Sequence, residues 1–258
     1  MSRMRTKEPL HTSHMLTLGF SLIWTAGFVD AVGFLTLHQI YVANMSGNTV
    51  SVALHAAGRD WVEAWAHFCP ILAFVPGLIA GNSIVEIFRR RNFRRPLIPA
   101  LLIEAAGLIL FFLIAAGPAS QSAANQNHRT ADFAILAVLL AFCMGLQNGA
   151  LGRVGALKDV HTYVTGTLLA AADSFTRYLF WLQSRLRYFK WPVIRRAFVY
   201  SPHHRAFRKA AFASGLWIFY IVGATVAAIL HARHVAEILL IPIAILLLMT
   251  VFHALASD

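Results

Sequence analysis

Long apolar runs separated by short polar gaps dominate the chain, and six of them are long enough for a full helix: Met15–Leu37, Glu63–Phe88, Pro96–Gly117, Asp132–Leu151, Ala210–Leu230 and Val235–His253. A bilayer core about 30 Å thick takes about 20 mostly apolar residues per crossing helix, so each run predicts a transmembrane span. Two further segments differ. Met45–Gly58 is short and opens with Ser46-Gly47-Asn48-Thr49, and Val164–Leu182 opens with Thr165-Gly166-Thr167 and carries Asp173 and Arg177. Both read as helices with polar starts.

Composition supports this pattern. Of 258 residues, 58% are hydrophobic and 13% charged, against about 25% charged in soluble domains. The expected class is all-α, a polytopic transmembrane bundle in one membrane domain. The run after Met1–Lys7 is long, contains Asp30 and lacks a small-residue cleavage site, so it reads as a retained first helix.

A net charge of +11 raises the question of nucleic acid, but the Lys and Arg fall in the gaps between apolar runs. They do not line one face of a soluble fold, and no nucleic-acid partner is expected. Their placement fits retention of Lys and Arg in short cytoplasmic loops. One cluster is Arg3, Arg5 and Lys7, a second runs from Arg89 to Arg95, and a third from Arg185 to Lys209. If both short segments crossed fully, a strongly basic loop would be stranded outside whichever way the N-terminus faced. If both enter and leave on one side, all three clusters lie inside, and sixteen of the 22 Lys and Arg are cytoplasmic. The expectation is therefore six crossings, a cytoplasmic N-terminus and two re-entrant or broken helices. Interfacial helices or tilted spans are the competing reading. Irregular backbone at membrane depth is tolerated where protein or a water-filled cavity satisfies it, so re-entrant segments point to a cavity.

The order of motifs recurs. Phe28-Val29-Asp30 and Met45-Ser46-Gly47-Asn48-Thr49-Val50 correspond loosely to Leu146-Gln147-Asn148 and Val164-Thr165-Gly166-Thr167-Leu168, and Phe74-Val75-Pro76-Gly77 with Gly81 corresponds to Tyr220-Ile221-Val222-Gly223 with Ala227. The expected organisation is a cytoplasmic N-terminus (1–14), a first repeat (15–117), an external loop (118–131) and a second repeat (132–258) with a basic cytoplasmic segment at 183–209. Three crossings per half would place the halves upside down to one another, a plan shared with secondary transporters.

The candidate chemistry is polar. Asp30 lies deep in an apolar run, where an aspartate costs about 2.5–3.5 kcal/mol on insertion scales, so it should face the bundle or a cavity. There it is a candidate for proton or cation coupling, or alternatively a hydrogen-bonded interhelical contact. Helix N-termini attract anions and polar oxygens, so Ser46, Gly47, Asn48 and Thr49 are candidate solute contacts together with Thr165, Gly166 and Thr167. The plainer alternative is that they are helix caps. Asn44, Gln147, Asn148 and Tyr163 are neighbouring candidates, with Glu104 and His55 secondary. No metal-ligand spacing, Walker A, dinucleotide motif or nucleophile elbow occurs. No metal, cofactor or enzymatic role is expected. The partners expected are the bilayer, with anionic lipid at Arg89–Arg95 and Arg185–Lys209, and a small polar or anionic solute.

The blocks Gly27-Phe28-Val29-Asp30-Ala31-Val32-Gly33-Phe34, Met45–Val50, Met144-Gly145-Leu146-Gln147-Asn148 and Tyr163–Leu168 resemble, in this order, the motifs of the YoaK family of multi-pass bacterial membrane proteins. The resemblance implies an inner-membrane protein with a domain of unknown function, and it implies no substrate or catalytic residues. The basic stretch Trp181–Lys209 is longer than the resemblance leads one to expect. The functional expectation is a small secondary transporter or channel, the alternative a structural or accessory membrane protein.

Overall fold

A computed structural model describes residues 13–116, 129–154, 164–186, 195, 199–231 and 237–255. Tyr163 and the basic residues Arg3, Arg5, Lys7, Arg187, Lys190 and Arg196 lie outside them, as does most of the segment 118–131. Among the described residues the regular elements are helices: α1 (Ser13–Thr36), α2 (Met45–Ala57), α3 (Trp61–Arg90), α4 (Ile98–Ala116), α5 (Arg129–Arg153), α6 (Val164–Leu186), α7 (Arg205–His231) and α8 (Leu240–Leu255). Short 3-10 turns at Ser201–His203 and Glu237–Leu239 lead into α7 and α8.

Six helices are long and apolar enough to cross a bilayer: α1, α3, α4, α5, α7 and α8 with its leading turn. They are the six runs read from the sequence, with ends shifted by a few residues. The two polar-start segments stand apart from them. At 1.5 Å per residue, the 13 residues of α2 extend only about 20 Å, too short for the apolar core. The chain reverses after α1 through His38 and Gln39, both in the left-handed region (φ 51° and 62°). Such conformations cost of order 1 kcal/mol or more for non-glycine residues and persist where surrounding contacts hold them. Here Leu37, Ile40, Val42 and Ala43 are buried in the core. Between α2 and α3 a tight turn places Asp60 as cap, its Oδ1 accepting from the Glu63 N–H at 3.2 Å.

α1 and α5 form the centre. Their most apolar stretches are 67% and 72% buried, against 17% and 22% for α3 and α7, whose outer faces are free to meet lipid. α1 packs most extensively on α7, and α5 on α3. Both crossings are made by glycine. A Cβ at Gly27 would collide with the Tyr220 backbone and one at Gly223 with that of Trp24, while one at Gly145 would strike Phe74 and one at Gly77 would strike Phe142. Adding 118 turns Trp24 and Gly27 into Phe142 and Gly145; adding 146 turns Phe74 and Gly77 into Tyr220 and Gly223. One crossing thus maps residue by residue onto the other. In both, the partners run in the same direction: Gly77 meets Phe142 and Gly81 meets Leu146, while Gly215 meets Phe20 and Gly27 meets Tyr220. The remaining contacts follow the same exchange, since α2 lies on α3 as α6 lies on α7, and α4 lies on α5 as α8 lies on α1.

Because the colliding atoms are backbone, a methyl at these glycines has to push two helices apart. Gly81→Ala and Gly223→Ala are each expected to lower unfolding stability by about 1–3 kcal/mol. Gly152→Ala, where nothing lies within 4 Å of the added carbon, should stay within about 0.5 kcal/mol of the parent. Thermal unfolding in detergent reads all three.

Candidate functional site

The reversal after α1 brings unwound backbone into the apolar body, where each unmet N–H costs several kcal/mol. Asp30 meets this demand. Its side chain is buried, and its Oδ1 accepts the Val42 and Ala43 N–H groups, each at 2.7 Å. Oδ2 accepts the Tyr220 hydroxyl of α7 at 2.5 Å. One carboxyl group therefore ties α1, the returning segment and α7 together through charge-assisted bonds.

Asn48 carries the fold-back into α2. Fully buried, it accepts the Tyr41 N–H at its Oδ1 (2.9 Å) and donates from Nδ2 to the Tyr41 carbonyl (2.6 Å). The Tyr41 ring then packs on Phe34, with centroids 4.8 Å apart, and lies so close over Gly47 that a Cβ there would collide with it. Asp30, Gly47 and Asn48 thus belong to one constellation, with Tyr41 at its centre. Ser46 and Thr49 face outward, Ser46 donating to Asn44 Oδ1 (2.7 Å) and Thr49 to the Met45 carbonyl (2.9 Å). Asn44 stands at the N-cap without a side-chain bond to the helix backbone.

The second polar start is placed differently. Thr167 is buried and donates to the Val164 carbonyl at 2.7 Å, Thr165 is exposed and Gly166 half-buried. α6 packs on α7 and α2 on α3, and among the described residues the two starts do not pack on one another. Between α6 and α7 runs an open groove lined by apolar Leu168, Phe175 and Phe207, with Ser214 at its edge.

On α5, Asn148 holds the position that Asp30 holds on α1, and its Nδ2 bonds back to the Met144 carbonyl at 3.1 Å. Gln147 turns the other way, donating from Nε2 to Glu104 Oε1 at 3.0 Å and reaching the Leu22 carbonyl at 3.4 Å. The structure therefore joins Glu104 to Gln147, which the sequence had left apart. His55 sits at the other end of α2, its ring stacked on that of His67 (5.5 Å, 14°) and its Nδ1 3.9 Å from Asp60 Oδ2. Among the described residues no three His, Cys, Asp or Glu side chains gather at metal-binding range.

Two residues escaped sequence reasoning, Tyr41 and Tyr220. A signal for Tyr220 existed. In the repeat it matches Phe74, so the half-crossing that has a carboxylate at 30 has a hydroxyl to meet it, while Asn148 is matched with a ring that has none.

At the membrane edges, Glu86 pairs with Arg89 (2.5 Å) and Arg90 (2.7 Å), and Arg153 of α5 approaches it at 3.8 Å. Arg153 also donates to Asn82 Oδ1 at 2.9 Å, so the C-terminal ends of α3 and α5 share one face. In the other basic stretch, Trp181 packs on His204 (4.3 Å), Arg185 lies 5.9 Å over the Trp181 ring, and Tyr178 and Ser201 share a hydroxyl bond of 2.6 Å.

Six apolar spans packed around a buried carboxylate, with an unwound segment pinned inside, define a polytopic α-helical membrane protein. The chain belongs to the family described as "Protein of unknown function (DUF1275)", whose model matches residues 18–252. It is 26% identical over 179 residues to the "UPF0700 transmembrane protein YoaK" of Bacillus subtilis (strain 168), covering 69% of this chain and 75% of that protein. No solved structure matches. The family resemblance carried by the motifs around Asp30, Gly47 and Gly166 is thereby borne out.

Removing one charge-assisted acceptor bond costs about 1.5–3 kcal/mol. Tyr220→Phe should therefore speed amide hydrogen exchange in residues 40–44 about tenfold or more. Asp30→Asn should speed it further, because a neutral amide oxygen accepts the Val42 and Ala43 N–H groups more weakly than a carboxylate does. Exchange mass spectrometry on the segment reads both; rates equal to the parent would exclude the anchor.

Proposed function

We propose that the protein is a small secondary transporter or channel for a small polar or anionic solute, built from two inverted halves. The observation that carries the reading is the unwound segment 37–44, held within the apolar body by Asp30 and leading into a helix too short to cross. Broken helices at membrane depth, within repeats related by an axis in the membrane plane, are a recurrent plan of such proteins, and their irregular backbone is tolerated where it borders a cavity.

Helix direction supports the inversion. Leu22 lies seven residues from the start of its span and Gln147 six from the end of its own, and the two are in contact. They sit at similar depth only when α1 and α5 run oppositely. With α3 parallel to α5 and α7 parallel to α1, this order alternates across the six spans and leaves α2 and α6 as segments that return to the side they came from. Under it the basic starts of α1 and α7 and the basic end of α3 share one face. That face is cytoplasmic by the positive-inside rule, in a bacterial inner membrane, with Arg89–Arg95 and Arg185–Lys209 on anionic lipid. No catalytic role is included. The three donors that converge on Asp30 favour the alternative of a purely structural carboxylate, and with it a non-transporting accessory protein.

Uptake into proteoliposomes across a panel of small polar and anionic solutes distinguishes them. Wild-type protein should move at least one solute, and Asp30→Asn and Gly47→Leu, which displaces Tyr41, should each reduce that flux tenfold or more. Equal flux for every solute in wild type and both folded variants would refute transport through this site.

A further inference from the structure

A second polar constellation lies at the centre of the bundle, apart from Asp30. Glu104 on α4 and Gln147 on α5 are 0% and 1% exposed, and their single mutual bond runs from Gln147 Nε2 to Glu104 Oε1. Two oxygens remain without a donor, Glu104 Oε2 and Gln147 Oε1. Thr25 Oγ1, one turn along α1 from the Leu22 carbonyl that Gln147 reaches, is buried and unpartnered as well.

An isolated carboxylate in such a place is untenable as an anion, since burying an unpaired charge costs far more than neutralising it. Among the described residues no cation is paired with it. Among the described titratable groups on the helices packed against α4, Cys143 on α5 fills the space beside Gly107, His253 is buried on α8, His67 of α3 stacks on His55, and Glu86, Arg89 and Arg90 gather with Arg153 of α5 at the far end of α3. None of them is hydrogen-bonded to the Glu104 carboxyl group. Asp30, on neighbouring α1, already has its three donors.

One hydrogen meets the deficits of both Glu104 and Gln147 at once. Placed on Glu104 Oε2 it cancels the charge and supplies a donor next to Gln147, whose own side-chain oxygen lacks one. A carboxylic acid and a primary amide joined in this way can close a ring of two bonds, N–H to C=O on one side and O–H to C=O on the other. Turning the Gln147 amide over does not remove the need, because its oxygen would then face a carboxylate oxygen with no hydrogen between them. A hard metal cation asks for six or more oxygen ligands, and only two stand open here, three with Thr25.

We propose that Glu104 carries a proton shared with Gln147 across the α4–α5 contact, and that this pair is a proton-binding site separate from the Asp30 anchor. The two carboxyl groups thereby take opposite roles: Asp30 accepts from three donors and has no hydrogen to give, whereas Glu104 has one donor and an acceptor waiting. A coupling role rests in addition on the transport reading; joined to it, the site makes the proton the coupling ion and Glu104 its carrier.

Infrared spectroscopy of the full-length protein in lipid nanodiscs at neutral pH tests the proposal without any solute. The wild type should show a protonated-carboxyl C=O band that Glu104→Gln removes and Asp30→Asn leaves. Gln147→Leu should keep the band and move it to higher frequency, as the acid loses its hydrogen-bonded ring, and this shift holds as a test even if Glu104→Gln fails to fold. Absence of the band in wild type, its survival in folded Glu104→Gln, an unmoved band in Gln147→Leu, or a band that disappears on adding sodium would each overturn the proposal. A protonated Glu104 in a protein that moves no solute would leave the site intact and remove only its coupling role.

Discussion

A backbone N–H inside a membrane protein has no water to turn to, and much of this structure answers that constraint at one place. The chain leaves α1, reverses through two left-handed residues and re-enters the apolar body at residues 40–44. Two of the freed N–H groups go to Asp30, and both polar backbone groups of Tyr41 go to Asn48. Side-chain oxygen and amide groups stand in for the helical ladder. That substitution lets α2 begin inside the protein, and Tyr220 fixes the anchor to α7.

The second constraint is distance. α1 against α7 and α5 against α3 approach until backbone touches backbone, which glycine alone allows at Gly27, Gly77, Gly81, Gly145, Gly149 and Gly223. Without apolar solvent exclusion to drive helices together in lipid, such close packing is a main source of attraction between them. The two crossings match residue for residue, yet the chemistry placed on them does not. Asp30 with Tyr220 on one side becomes Asn148 with Phe74 on the other, so one scaffold carries a charged anchor in one half and a neutral amide in the other.

The spans were legible because an apolar run of membrane length has little use outside a bilayer, and the shortness and polarity of Met45–Gly58 marked it as different. The glycine correspondences were legible too, since Gly77 and Gly223 sit in matching strings. Partnership was harder to read. Asp30 reads in sequence as a lone costly charge, and that two of its donors are backbone N–H groups twelve and thirteen residues on depends on a chain reversal at His38 and Gln39, which carries no glycine signal. Glu104 and Gln147, 43 residues apart, become partners only through the α4–α5 contact. Ser46 and Thr49, by contrast, donate to oxygens within their own turn, and neither of these bonds meets a free N–H at the start of α2.

Inversion of the two halves requires α2 to return to the side from which it came. Single cysteines at Gln39, Gly58 and Asn92, in a background lacking Cys69 and Cys143, can be labelled in sealed cells by a membrane-impermeant thiol reagent. Inverted halves require Gln39 and Gly58 to react together from outside and Asn92 only after the membrane is opened. Gln39 and Gly58 reacting from opposite sides would show that α2 crosses, and would contradict the inversion.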